Sequence, residues 1–134
     1  MSATTQMLDT HPLDITLDQE MLAACIDACL ECAQACTSCA DACLSEKMVS
    51  DLTDCIGSNL DCADVCDAAA RVLTRQTGWN VDVARAVLLA AATACDACAK
   101  ECEEHAPMHD HCEVCAQWCR NCEQACTVLL DSFS

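Results

Sequence analysis

Seventeen of the 134 residues are cysteine, and their spacing is regular. Cys25, Cys29, Cys32, Cys36, Cys39 and Cys43 are separated by steps of four, three, four, three and four. Cys112, Cys115, Cys119, Cys122 and Cys126 keep the same alternation. Cys95, Cys98 and Cys102 form a third run. Cys55, Cys62 and Cys66 form a fourth, with Asn59 where the rhythm asks for a sulfur. Steps of three and four follow one face of a helix, so each run is a stripe of thiols. Thiols at i and i+4 have Cβ atoms roughly 5–6 Å apart and can turn toward one ion. The pairs are Cys25/Cys29, Cys32/Cys36, Cys39/Cys43, Cys62/Cys66, Cys98/Cys102, Cys115/Cys119 and Cys122/Cys126. The three-residue steps between them let one sulfur serve two ions.

Other uses of cysteine fit less well. An odd number cannot pair completely in disulfides. Closing S–S bonds along a helix face strains it, and cross-helix bridges are disfavoured in a reducing cytosol. Packing as a small hydrophobe explains one or two cysteines, not seventeen on inward stripes. A thiol redox enzyme built on Cys112/Cys115 or Cys95/Cys98 would need one fast thiol of low pKa. No Ser-His-Asp set or phosphate-cradling glycine loop is present, so the chain is expected to bind rather than catalyse.

Soft thiolates select Cu(I), Zn or Fe–S clusters. Seventeen thiols would make at most about four closed Zn tetrahedra. Fe–S ligands come from turns such as the run ending in Cys-Pro, and no cysteine here precedes proline. Cu(I) accepts two or three thiolates, giving roughly eight sites without sharing and more with it. Each Cu⁺ displaces one thiol proton, so the interior stays near neutral as it fills. Cu(I) is therefore the expected cargo, and Zn or another soft metal the alternative.

The stripes need four helices. Thr16 and Gln19 resemble a capping box opening a helix that runs to about Ser45. A second is predicted from Met48 or Asp51 to Thr77, stopped at Gly78. Asn80 can cap a third, Val81 to Glu104, which Pro107 closes. Asp110 and Glu113 make a box for the fourth, which continues through Leu129 and Phe133. The fold class expected is all-α, an antiparallel four-helix bundle with a Cys-lined core, over residues 17–134. Residues 1–16 read as a mobile arm.

Antiparallel register places the links near Ser45 and Pro107 at one end, the mouth. Away from it, each stripe turns to hydrocarbon: Leu22, then Ala69 and Leu73, Ala91 and Leu88, and Leu129 and Phe133. The mouth carries Met48, His105, Met108, His109 and His111. His105 continues a cysteine stripe, and His109 and His111 flank the next, so all three are candidate ligands weaker than thiolate. Asn59 is expected to be a gap in the ladder rather than an oxygen ligand. Trp118 lies off the stripe and suits packing or a subunit contact. His11, in the arm, has no expected role.

Asp and Glu total 22 against six Lys and Arg, a net charge of −16. That argues against nucleic-acid and anionic-membrane partners. The N-terminus lacks the basic and apolar regions of a signal peptide. No apolar run is expected to reach membrane-span length; the longest, Val81 to Ala94, contains Asp82 and Arg85. The expected compartment is the cytoplasm.

The runs Cys25–Cys43 and Cys112–Cys126, with the group His105, His109 and His111, resemble the copper storage proteins of the cytosolic type. The resemblance spans about residues 17 to 130. It implies a four-helix bundle, a homotetramer, and many Cu(I) ions held mainly by core thiolates behind a His-lined mouth. A copper chaperone is the expected source or recipient of the ions. Asn59 departs from the ideal ladder.

Overall fold

Helix caps and apolar contacts decide where each element begins and ends. The computed structural model describes residues 2–133. It is all-helical, with five helices where four were expected: α1 (Ala3–Asp9), α2 (Gln19–Leu44), α3 (Thr53–Thr74), α4 (Val81–His105) and α5 (Asp110–Asp131). A short 3₁₀ turn, Val49–Asp51, precedes α3. The long helices pack in a closed cycle, α2 on α3, α3 on α4, α4 on α5 and α5 on α2.

The additional helix corrects the expectation of a mobile arm. Ser2 caps α1 by accepting from the Thr5 amide. Seven residues cannot hold a helix alone in water. Here Leu8 is buried in the core and Gln19 donates to Asp9, so α1 is held by packing against α2.

The long helices occur where expected, but their ends differ. Asp18, not Thr16, caps α2 by accepting from the Met21 amide at 3.1 Å. Helix α3 stops at Thr74, and Gln76 donates to the Leu73 carbonyl at 2.8 Å, covering an end group. Gly78 lies beyond, in the link, at φ 69°, a conformation that favours glycine. Asn80 caps α4 as expected, accepting from Asp82 and Val83. At α5 the N-cap is His109, without a side-chain bond. Asp110 and Glu113 instead lie in the first turn, where negative charge suits the helix dipole.

The end far from the mouth is dry. Leu22, Leu73, Leu88 and Leu129 are fully buried with Ala69 and Ala91. Trp79 meets Phe133 edge-on at 6.4 Å, and Arg85 lies over the Phe133 ring. Outside, Arg120 of α5 binds Asp96 and Glu103 of α4 at 2.8 Å each and Glu123 at 2.9 Å, tying the two helices. One expectation about membranes needs correction: α2 is long and apolar enough to cross one, with a window of mean hydropathy 1.2. The window is half buried inside the protein, because alanine and cysteine count as apolar while lining the core.

Candidate metal centre

Each stripe faces inward because its period matches the helix, and four stripes then meet. All seventeen cysteines are free thiols, none more than 2% exposed. Near the plug, Cys25 and Cys29 lie 3.7 and 3.8 Å from Cys126. Cys122 joins Cys29 at 3.7 Å and Cys66 at 4.0 Å. Cys66 meets Cys95 at 3.5 Å, and Cys32 lies 3.8 Å from each of Cys62, Cys95 and Cys119. Cys36 continues to Cys98, Cys115 and Cys119 at 3.6–3.8 Å. Cys55 and Cys102 are 3.8 Å apart, and Cys39 reaches Cys112 at 3.9 Å.

These separations fit metal ions. With metal–sulfur bonds of about 2.3 Å, a four-coordinate ion needs sulfurs roughly 3.8 Å apart. Several sets of ligand atoms meet within 4.8 Å of one another, among them Cys32/Cys66/Cys95/Cys122, Cys32/Cys36/Cys62/Cys119 and Cys36/Cys98/Cys115/Cys119. Cys25/Cys29/Cys126 and Cys39/Cys43/His111/Cys112 lie nearest the two ends. Cys32, Cys36 and Cys119 each belong to two sets, which is the sulfur sharing that the stripes suggested.

Asn59 is not a gap. Fully buried, its Oδ1 accepts from Cys98 at 2.9 Å, Cys115 at 3.2 Å and Cys102 at 3.5 Å, and its Nδ2 donates to Cys55. The spacing showed that this position faces the core; it did not show that three thiols converge on its oxygen.

The thiols share their protons unequally. Burial pushes the Cys43 thiol up to about 11 and raises Cys112 as well. Hydrogen bonding with Cys126 raises Cys25 and Cys122, and with Cys115 raises Cys36, Cys102 and Cys119. The same network lowers Cys32 and Cys62, foremost through Cys119. It lowers Cys39 and Cys98 foremost through Cys102, and Cys126 through Cys122.

At the mouth the three histidines differ. His111 Nδ1 lies 3.4 Å from Cys39 Sγ and 3.6 Å from Cys112 Sγ. His109 stacks on His111 with ring centres 5.5 Å apart, and its Nδ1 meets Glu46. His105 Nε2 faces Glu101 at 3.9 Å, although its stripe position made it the strongest sequence candidate. Met48 and Met108 are exposed. Glu46 escaped the sequence reading because no motif marks it; only the fold brings its link against the α4–α5 link.

Residues 18–131 match the family described as Csp, copper storage protein. The chain belongs to the copper storage protein family. A copper storage protein of this family, Ccsp from Streptomyces lividans loaded with 10 copper equivalents, superposes with a TM-score of 0.96 at 57% identity. That match covers 97% of this chain and 99% of the other. A cytosolic copper storage protein from the same organism, with five coppers, matches at 62% identity and a TM-score of 0.83, over 84% of this chain and 93% of that one. The cysteine-rich protein YhjQ of Bacillus subtilis is 35% identical over 103 residues, 77% of this chain and 90% of its own length. Copper storage, and many thiol sites for copper, are therefore properties of the family to which these stripes belong.

Proposed function

We propose that this protein stores copper in the cytoplasm as multiple Cu(I) ions, held by the seventeen thiols inside an antiparallel four-helix bundle formed by α2 to α5. The observation that carries this reading is the continuous network of buried sulfurs, in which single thiols belong to more than one ligand set. A monovalent ion needing two or three thiolates can use shared sulfurs without accumulating charge. A row of closed Zn tetrahedra cannot share so freely. The cytosolic placement and the copper loading of the Streptomyces proteins support the reading.

The ligands proposed are all seventeen cysteines, with His111 directly at the outermost set and His109 and His105 along the approach. The Asn59 oxygen supplies a weaker, harder contact midway. The role is storage and buffering, not catalysis, and a copper chaperone is the proposed source or recipient. A homotetramer suits two exposed apolar patches on different sides of the bundle. Leu30, Val114 and Trp118 lie on the α2/α5 side, and Leu89 lines a groove on the α3/α4 side. A D₂ tetramer uses more than one such contact per chain.

Anaerobic titration of the metal-free, reduced protein tests the cargo. Cu(I) is expected to bind well beyond about eight equivalents, and Zn(II) to stop near about four. Equal, small capacities for both ions would overturn the storage reading.

A further inference from the structure

Two links meet at the mouth, and one carboxylate joins them. Glu46, just after α2, places Oε2 against Nδ1 of His109 and 3.6 Å from Nε2 of His111, both in or beside the start of α5. The two rings are stacked at an interplanar angle of 23°. His111 Nε2 is buried and makes no hydrogen bond, since 3.6 Å to Glu46 is too long for one. Its other nitrogen faces the Cys39 and Cys112 thiols, which can donate to it.

In a neutral imidazole one nitrogen carries the proton and the other the lone pair. A carboxylate accepts only, so the ring nitrogen facing it is the protonated one. At His109 that nitrogen is Nδ1, leaving Nε2 as the lone pair. At His111 the thiols facing Nδ1 can donate to its lone pair, which places the proton on Nε2. We propose that Glu46 is a positioning residue for copper admission: it accepts from His109 Nδ1–H and so leaves Nε2 as the lone pair that His109 presents as a ligand. His109 then offers Nε2 to an arriving ion, and His111 offers Nδ1 within the set Cys39/Cys43/Cys112. When an ion engages His111 Nδ1, a small ring movement brings Nε2–H onto Glu46, the carboxylate–histidine–metal arrangement that fixes and strengthens an imidazole ligand. This inference rests on the Cu(I) storage reading and adds the residue that prepares its mouth.

The test uses the full, metal-free chain and its E46A and E46Q variants at mildly alkaline pH, with thermal melting to verify that each variant is folded. Two-dimensional ¹⁵N NMR of the imidazoles reads the tautomers. The wild type is expected to show His109 as Nδ1–H and His111 as Nε2–H. E46A is expected to lose the Nδ1–H form of His109, and E46Q to retain it only in part. Stopped-flow transfer of Cu(I) from a chelator complex is expected to slow several-fold in E46A, and less in E46Q. Unchanged tautomers, or uptake as fast as or faster than wild type, would overturn the positioning role. The titration endpoint separates this inference from the larger one. A wild-type chain that takes up little Cu(I) ends the storage reading, whereas full uptake with unchanged tautomers ends only the role of Glu46.

Discussion

The two ends of the long helices share one backbone register and differ only in what faces inward. At the plug, Leu22, Leu73, Leu88 and Leu129 are fully buried and packed with alanines. Each such leucine contributes about 1.5–3 kcal/mol by leaving water. At the mouth, Cys43 and Cys112 sit under a half-open layer of His109, His111 and Glu46, with Met48 and Met108 exposed. Small thiols bury less hydrocarbon than leucines, so the ladder adds less to stability by burial. Labour is divided along the bundle: the plug and the outer ties such as Arg120 hold the helices in register, and the mouth and ladder present the thiols.

That division is broken most directly at the plug. Leu129→Asp places a charge in a dry site and is expected to destabilise the metal-free protein by more than about 4 kcal/mol. Met108→Asp, at the exposed mouth, is expected to stay within about 0.5 kcal/mol. Denaturant midpoints of the reduced proteins measure both. Equal, small effects would show that the far end is wet and that the stripes do not end in a seal.

The long helices and the plug were legible in the sequence because both follow from periodicity. A three-four alternation of cysteine has one geometric meaning, and its replacement by Leu22, Leu73, Leu88 and Leu129 locates the sealed end. Helix ends were less legible, since Asp18 and Thr16 are equally good caps on paper and link geometry chooses between them. Helix α1 was invisible because its stability comes from burying Leu8, not from its own seven residues. Among the histidines, stripe position favoured His105, yet His111 reaches the thiols, because the direction of a ring at a helix start depends on the link before it. Glu46 and the Asn59 oxygen depend on contacts between segments distant in sequence, which spacing cannot encode.

A middle-sized effect is expected between the two ends, at Asn59. Asn59→Ala removes the oxygen that accepts from Cys98, Cys102 and Cys115, and leaves those donors without it in a buried site. The loss expected is about 1–3 kcal/mol in the metal-free state. Asn59→Cys keeps a polar atom there and is expected to recover part of the loss and to raise Cu(I) capacity by about one ion per chain. Chemical denaturation and anaerobic titration measure the two quantities. An Asn59→Ala protein as stable as wild type would mean that the ladder satisfies its own thiols, and plug and ladder would then differ more sharply in what holds them.

A pH-dependent effect concerns the mouth alone and follows from proton linkage. Burial raises the Cys43 thiol from an ordinary value of 9.0 to about 11, because the charged form loses hydration. The folded chain therefore keeps a proton there that the unfolded chain releases as pH passes 9. The stability from this group is fully present below pH 9 and is lost as pH rises through about 11. Denaturant midpoints of the metal-free wild type are expected to fall over that interval more steeply than those of Cys43→Ser, which has no thiol to ionise at that position. With Cys43 holding copper as proposed, it is already a thiolate in the loaded protein, and the two pH profiles should run parallel. Parallel profiles in the metal-free state as well would mean that water reaches Cys43 freely, so that the mouth opens one layer deeper than His111 and the dry ladder begins at Cys39.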